Sequence, residues 1–260
     1  MKFLNHSYGQ NVFVLDSLSS QTWLSELCLE QTTQPRLNQL ISHLYRQLLL
    51  TYIDLFFDSQ PIQIKTRMAT QHPKEGVFSL PLLSKSIQAI SVNLARAGTW
   101  PSHICYDTLC DLLPSKNIRQ DHIFAARISN HEDMVTGAHL GAHKIGGSQQ
   151  DAYVLIPDPM GATGNTLSTT LSYYKNHVEG KAKSYIALHL IVTPEYLKLM
   201  QANHPDTLIF CHRVDRGLSP DLVLNSPLGK FWDQEKGLNP MGYIVPGAGG
   251  LGELLNNAYV

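Results

Sequence analysis

The chain has 260 residues, of which 43% are hydrophobic and 16% charged, enough apolar material for one substantial core with room for an added lobe. Its 20 basic and 21 acidic side chains leave a formal charge of −1, so no overall field draws it to nucleic acid or to an acidic membrane, and any phosphate site must be local. Cys28, Cys105, Cys110 and Cys211 are scattered without a CxxC spacing, which argues against a metal site or a disulfide frame and for reduced thiols in a cytoplasmic protein.

The first residues lack a basic region followed by a clean apolar stretch, so no signal peptide is expected, and no segment reaches the roughly 18 apolar residues needed to cross a bilayer. Val12 to Leu15 reads as a short strand, Thr22 to Leu29 as a short helix, and Glu30 to Gln34 as a turn. From Pro35 onward Leu37, Leu40, Ile41, Leu44, Tyr45, Leu48, Leu49, Tyr52, Ile53 and Phe56 recur three and four apart. That spacing predicts an amphipathic helix of about six turns. Its second half has little polar face, which suits packing on a sheet or a second subunit. Lys65 to Met68 and His72 to Gly76 form a polar connection whose basic residues read as a solvated face. Ser86 to Leu94 is a strand, and Ala95-Arg96-Ala97-Gly98 follows it directly. An arginine between small residues at the carboxyl end of a strand presents its guanidinium and nearby amides to an anion. A helix over 100–113 and a strand over 122–128 come next. His131, His139 and His143 then lie in a glycine-rich stretch without cysteine or an HExxH helix, which argues against zinc.

Tyr153-Val154-Leu155-Ile156 is a continuous apolar run, the pattern of a strand buried on both faces. Pro157 and Pro159 bracket Asp158 and end it, Gly161 and Gly164 punctuate a tight loop, and Thr166 opens a helical pattern. Strand, small-residue loop and helix start make an anion cradle of backbone amides, with Thr163 and Thr166 adding hydroxyls. No lysine lies between Asp158 and Thr170, which excludes a Walker loop, and only two glycines are present, which excludes the dinucleotide fingerprint. An acid beside a phosphate cradle fits a ligand whose sugar hydroxyls adjoin its phosphate. Further strands are predicted over 184–192 and 208–214, with a helix opening at Thr193-Pro194 between them.

The loop Asp158-Pro159-Met160-Gly161-Ala162-Thr163-Gly164 resembles the phosphoribosyl-diphosphate loop of uracil phosphoribosyltransferases, usually Asp-Pro-Met-Leu-Ala-Thr-Gly. Other pieces of that family follow in order. Ala95-Arg96-Ala97-Gly98 is similar to its Leu-Arg-Ala-Gly loop, and Ala126-Arg127 to its Tyr-Arg pair without the tyrosine. His204-Pro205-Asp206 and the Asp215, Gly217, Leu218 pattern match in turn. Gly242-Tyr243-Ile244-Val245-Pro246-Gly247 then matches its base-binding segment. Two departures stand out: an insertion at about 219–236, and Gly250 and Leu254 in place of the family's first Asp and its Arg, with Glu253 where the second Asp stands.

The resemblance implies an α/β phosphoribosyltransferase-type core with a parallel sheet, helices on both faces and an N-terminal helical extension. Residues 1–65 are expected to form that extension and 66–260 the catalytic domain, with a mobile flap at about 129–149 carrying Lys144. It implies transfer of the phosphoribosyl group from 5-phosphoribosyl 1-diphosphate to uracil, giving UMP and diphosphate. Asp158 would hold the ribose hydroxyls, and Ala162, Thr163, Gly164, Asn165 and Thr166 the 5-phosphate. Arg96 and Arg127 would meet the diphosphate, and Tyr243, Ile244 and Gly249 the base. Magnesium would arrive with the donor, and a homodimer or higher homo-oligomer would be the working form. Two alternatives stay open at this point: a different base, because Gly250 removes a family side chain, or a paralogue that binds donor or nucleotide without turnover.

Overall fold

Strand-forming runs alternate with helical ones along this chain, and a computed structural model shows what the alternation builds. The structure describes residues 2–129 and 135–258, and for residues 125–129 and 135–139 the backbone alone. The first elements are β1 (Val12–Val14), α1 (Leu18–Leu27), α2 (Arg36–Phe56), β2 (Ser59–Lys65) and β3 (Val77–Leu83). Next come β4 (Gln88–Ala95), α3 (Thr99–Leu112), β5 (Ile118–Ser129), β6 (Val135–Lys144), β7 (Ala152–Pro157) and β8 (Met160–Gly161). The chain ends with α4 (Asn165–His177), β9 (Ser184–Val192), α5 (Pro194–Asn203), β10 (Leu208–Val214) and the single-turn helices α6 (Asp221–Leu224) and α7 (Leu251–Leu254).

The main sheet runs β1-β10-β9-β7-β4-β5-β6, with β8 beside β9, and every pairing is parallel except β5 with β6. From β4 the chain moves outward to β5 on one side, then returns to β7 on the other and continues through β9 and β10. Right-handed crossovers running in opposite directions place their helices on opposite faces. Accordingly, Leu40, Tyr45 and Leu49 of α2 and Ile104 and Leu109 of α3 share one core with Leu155, Leu188 and Phe210. Leu171 and Tyr174 of α4 and Leu197 and Met200 of α5 share the other with Val154, Ile156, Ala187 and Ile209. Strand β7 thus feeds both cores, odd residues to one face and even residues to the other, as its continuous apolar run predicts. Truncating Leu155, which is fully buried, would cost about 2–5 kcal/mol. Between β4 and β7 the crossovers diverge and leave a crevice at the carboxyl ends of the strands, and there the loops that follow β4 and β7 meet.

Helix α2 sits on the sheet through its apolar stripe: the Tyr45 hydroxyl donates to the Leu188 carbonyl at 3.2 Å, and the Tyr153 hydroxyl donates to the Phe56 carbonyl at 3.0 Å. Helix α1 starts four residues before the predicted Thr22, because Ser17 caps it by accepting from the Ser20 amide. The polar connection before the core is the loop joining the strands of an antiparallel ribbon, β2 with β3, in which Pro61 lies opposite Pro81. Prolines argue against strands in a sheet interior, but each strand of a two-stranded ribbon has a free edge where no donor is needed. The 219–236 insertion holds α6 and Glu235, whose buried carboxylate pairs with Arg216 just before the insertion and accepts from the Tyr8 hydroxyl at 2.7 Å. No helix among the described residues is long and apolar enough to cross a membrane.

Candidate active site

Each loop at this crevice is shaped by what lies directly beneath it. At the end of β7 the chain leaves the sheet at Asp158 and returns at once as β8, which pairs with Ile191 and Val192 of β9. Thr193 fastens the return, its amide donating to the Gly161 carbonyl at 3.0 Å and its hydroxyl to the Ala162 carbonyl at 2.7 Å. Gly164 then caps α4 with φ +83°, a backbone conformation that favours glycine. Tyr196 packs under both loop glycines: a Cβ at Gly161 or Gly164 would lie 3.2 Å from its ring.

Tyr196 is itself held by a buried histidine. Its hydroxyl meets His189 Nε2 at 2.6 Å, and His189 Nδ1 meets the Asp158 carbonyl at 2.5 Å. Because that carbonyl can only accept, Nδ1 carries the proton and Nε2 accepts from the tyrosine. Burial pushes the imidazole down from its ordinary 6.5 to about 4, against a smaller upward pull from the Asp158 carbonyl, so the ring is neutral at physiological pH. Burial likewise drives the Tyr196 hydroxyl well above its ordinary range, which keeps it a donor. The acidic loop therefore rests on a fully neutral chain of hydrogen bonds.

At the end of β4 the Ala95–Arg96 peptide is cis, and Gly98 lets the turn pack on the end of β7: a Cβ there would lie 2.9 Å from the Pro157 carbonyl. The Arg96 guanidinium does not stand alone. Nη2 donates to Glu253 Oε1 at 3.2 Å and Nη1 to the Ala258 carbonyl at 3.0 Å.

The third loop hangs from two distant segments. Gly217 donates to the Val245 carbonyl at 2.9 Å, and Val245 donates to the Gly237 carbonyl at 2.8 Å. The Glu195 carboxylate in turn accepts from the Gly237 amide at 2.9 Å. Asp215, buried at the end of β10, accepts from the Gly247 amide at 2.7 Å and from the Arg213 guanidinium at 2.5 and 2.9 Å. Gly247 and Gly249 have φ +63° and +72°, which a side chain would strain.

These loops meet around one cavity of about 430 Å³, walled by Arg96, Asp158, Ala162, Thr166, Tyr243, Ile244 and Gly249. A narrow cleft of about 50 Å³ shares Asp158, Ala162 and Thr166 with it and adds Thr163, Gly164 and Asn165. All but one of the residues given a ligand role in the sequence therefore border this cavity or the cleft beside it. The exception is Arg127, whose backbone lies in β5 opposite Ala138 and whose side chain lies outside the described residues, like His131 and the side chain of His139. Lys144 ends β6 opposite His122 and is exposed. Residues 130–134 of the expected flap also lie outside the described residues. Trp232 of the insertion does not line the cavity: its indole donates to the Pro194 carbonyl at 3.1 Å and its ring meets Tyr8 edge-on.

The wall also holds residues that motif reading passed over. Phe124 is 59% exposed and lies on β5 opposite Ala95, so only the strand register brings it to the site. Glu253, which the sequence placed at the family's second Asp but gave no role, belongs to the same wall.

A family model described as uracil phosphoribosyltransferase matches residues 14–234. The chain is 25% identical over 248 residues to the uracil phosphoribosyltransferase of Caldanaerobacter subterraneus subsp. tengcongensis, spanning 95% of this chain and 97% of the relative. It is 30% identical over 166 residues to that of Thermosipho africanus, spanning 64% of each. Among solved structures, the AQ2163 protein from Aquifex aeolicus shares the fold, with a TM-score of 0.69 over 96% of this chain and 99% of that one at 21% identity.

Proposed function

Since the chain belongs to the uracil phosphoribosyltransferase family, we propose that it transfers the phosphoribosyl group from 5-phosphoribosyl 1-diphosphate to uracil, giving UMP and diphosphate. The observation that carries this is the single cavity shared by the Asp158 loop, Arg96 and the Tyr243–Gly249 loop. In the reaction the bond from the anomeric carbon to the diphosphate breaks and a carbon–nitrogen bond to the base forms. Positive charge gathers on the ribose ring and negative charge on the leaving group. The protein's tasks are to align the reactants and to meet the departing charge.

Asp158 accepts hydrogen bonds from the ribose hydroxyls. The amides of Ala162 to Thr166, at the start of α4, hold the 5-phosphate with the Thr163 and Thr166 hydroxyls. Arg96 and Arg127 meet the diphosphate, and magnesium arrives as part of the donor, keeping most of its ligands as water and phosphate oxygen. The main chain at Ile244 and Gly249 takes the edge of the base, and Tyr243 packs beside it. A homodimer or higher homo-oligomer, acting in the cytoplasm, completes this reading and is open to sedimentation analysis.

The test is conversion of labelled uracil to UMP with donor and magnesium present, alongside cytosine and purine competitors and donor-binding calorimetry. Asp158→Ala is expected to lower kcat/KM by about 100-fold or more, with the melting temperature retained. Turnover of another base in preference to uracil would replace the acceptor named here. Donor binding without turnover on any base would leave a ligand-binding paralogue as the better account.

A further inference from the structure

Glu253 lies where a side chain at position 250 would lie. Helix α7 folds it back: the amides of Glu253 and Leu254 both donate to the Gly250 carbonyl at 3.1 Å. A Cβ built on Gly250 would stand 2.5 Å from Glu253 Oε2. Gly250 itself has φ −82°, so its backbone would accept a side chain, and an added Cβ would meet only the movable carboxylate of Glu253. From that position Glu253 reaches across the rim of the cavity to Arg96, while Arg96 also holds the Ala258 carbonyl. One guanidinium thereby ties the C-terminal segment to the turn after β4.

We propose that Glu253 is a positioning residue that acts through Arg96: a carboxylate latch across the mouth of the cavity, displaced when the diphosphate of the donor arrives. This rests on Arg96 meeting the diphosphate, as proposed above. The side chains of Arg96 and Glu253 are 42% and 32% exposed, so the pair is screened by water and holds weakly. A diphosphate offers the same guanidinium several charged oxygens in place of one carboxylate, and an arginine fork suits that geometry. Arrival of the donor then releases Glu253 and the segment that continues from the base loop, so that the two halves of the site answer to one ligand. Gly250 is the sequence change that makes the latch possible.

Magnesium diphosphate is the probe, titrated by calorimetry into the unaltered protein, Glu253→Gln and Gly250→Ala, with hydrogen exchange followed over residues 250–258. Gly250→Ala keeps the charge and displaces the carboxylate sterically, so it serves even if the first variant folds poorly. Both variants are expected to bind diphosphate about two- to fivefold more tightly than the unaltered protein. Exchange over 250–258 should be faster in Glu253→Gln without ligand, and diphosphate should raise it in the unaltered protein. Equal or weaker binding by the variants, or unchanged exchange, overturns the latch and leaves the transferase reading standing. Diphosphate that binds none of the three proteins overturns the role given to Arg96, and the latch with it.

Discussion

The two halves of the cavity are held in different ways. The loop from Asp158 to Thr166 continues one strand into one helix and rests on buried, neutral partners: Thr193, Tyr196 and His189. The wall formed by Tyr243 to Glu253 is suspended by charged groups drawn from far along the chain, Asp215 with Arg213, Glu195 under Gly237, and Glu253 on Arg96. A neutral, fully buried support is insensitive to salt and gives one geometry. Of the charged supports, Asp215 is buried and Glu195 holds backbone amides, whereas the half-exposed pair of Glu253 with Arg96 is weak and screened.

Acid is expected to break the neutral half first, and by the largest amount. His189 under the Asp158 loop, and His212 against the Leu44 carbonyl of α2 outside the site, are both held near 4 against an ordinary 6.5, each chiefly by burial. Above pH 6.5 both native and unfolded chains carry them neutral and there is no effect. As pH falls from 6.5 toward 4 the unfolded chain takes up protons that the native chain refuses, so stability drops and then levels off. The drop is on the order of 3 kcal/mol per histidine. Urea denaturation at pH 7, 6 and 5 reads it directly, and a flat profile over that range would show that these rings ionise without cost. His189→Asn should have the shallower slope.

Next in size is Asp215→Ala. It removes a buried carboxylate, leaves Arg213 partly buried and frees the Gly247 amide, at a cost of about 2–3 kcal/mol once the exposure of Arg213 is allowed for. Because Asp215 supports only the base wall, KM for the base should rise while donor affinity by calorimetry stays near its original value. Equal losses for both substrates would erase the distinction between the halves. Smallest is Tyr196→Phe, which strands His189 Nε2 without its donor and should cost about 1 kcal/mol in urea denaturation. Its signature should be weaker donor binding with base binding unchanged, the mirror image of Asp215→Ala. A change in base binding alone would place Tyr196 in the wrong half.

Much of the donor half was legible from residue order because its causes are local. A run such as Tyr153 to Ile156 declares a doubly buried strand, and prolines and glycines declare where it must stop and turn. The three-and-four spacing from Leu37 to Phe56 is realised almost residue for residue in α2, since a helix buries one face whatever it packs against. The β2–β3 ribbon was not legible, because Pro61 and Pro81 argue against strands until the free edges of a two-stranded ribbon are known. His189 was read only as part of a buried strand, and nothing in that run shows which backbone carbonyl its ring will meet.

By itself, then, the amino-acid sequence determined the kinds of elements, their order, and the loops that close the strands. These depend on contacts between residues a few places apart. Only the tertiary structure decided that β4 and β7 are neighbours, that Phe124 stands opposite Ala95, and that residues 96, 158 and 244 enclose one space. It also decided that Glu253 occupies the volume Gly250 leaves open and reaches Arg96, 157 positions away. Register and crossover direction set those distances, and neither is written in any one stretch of the chain.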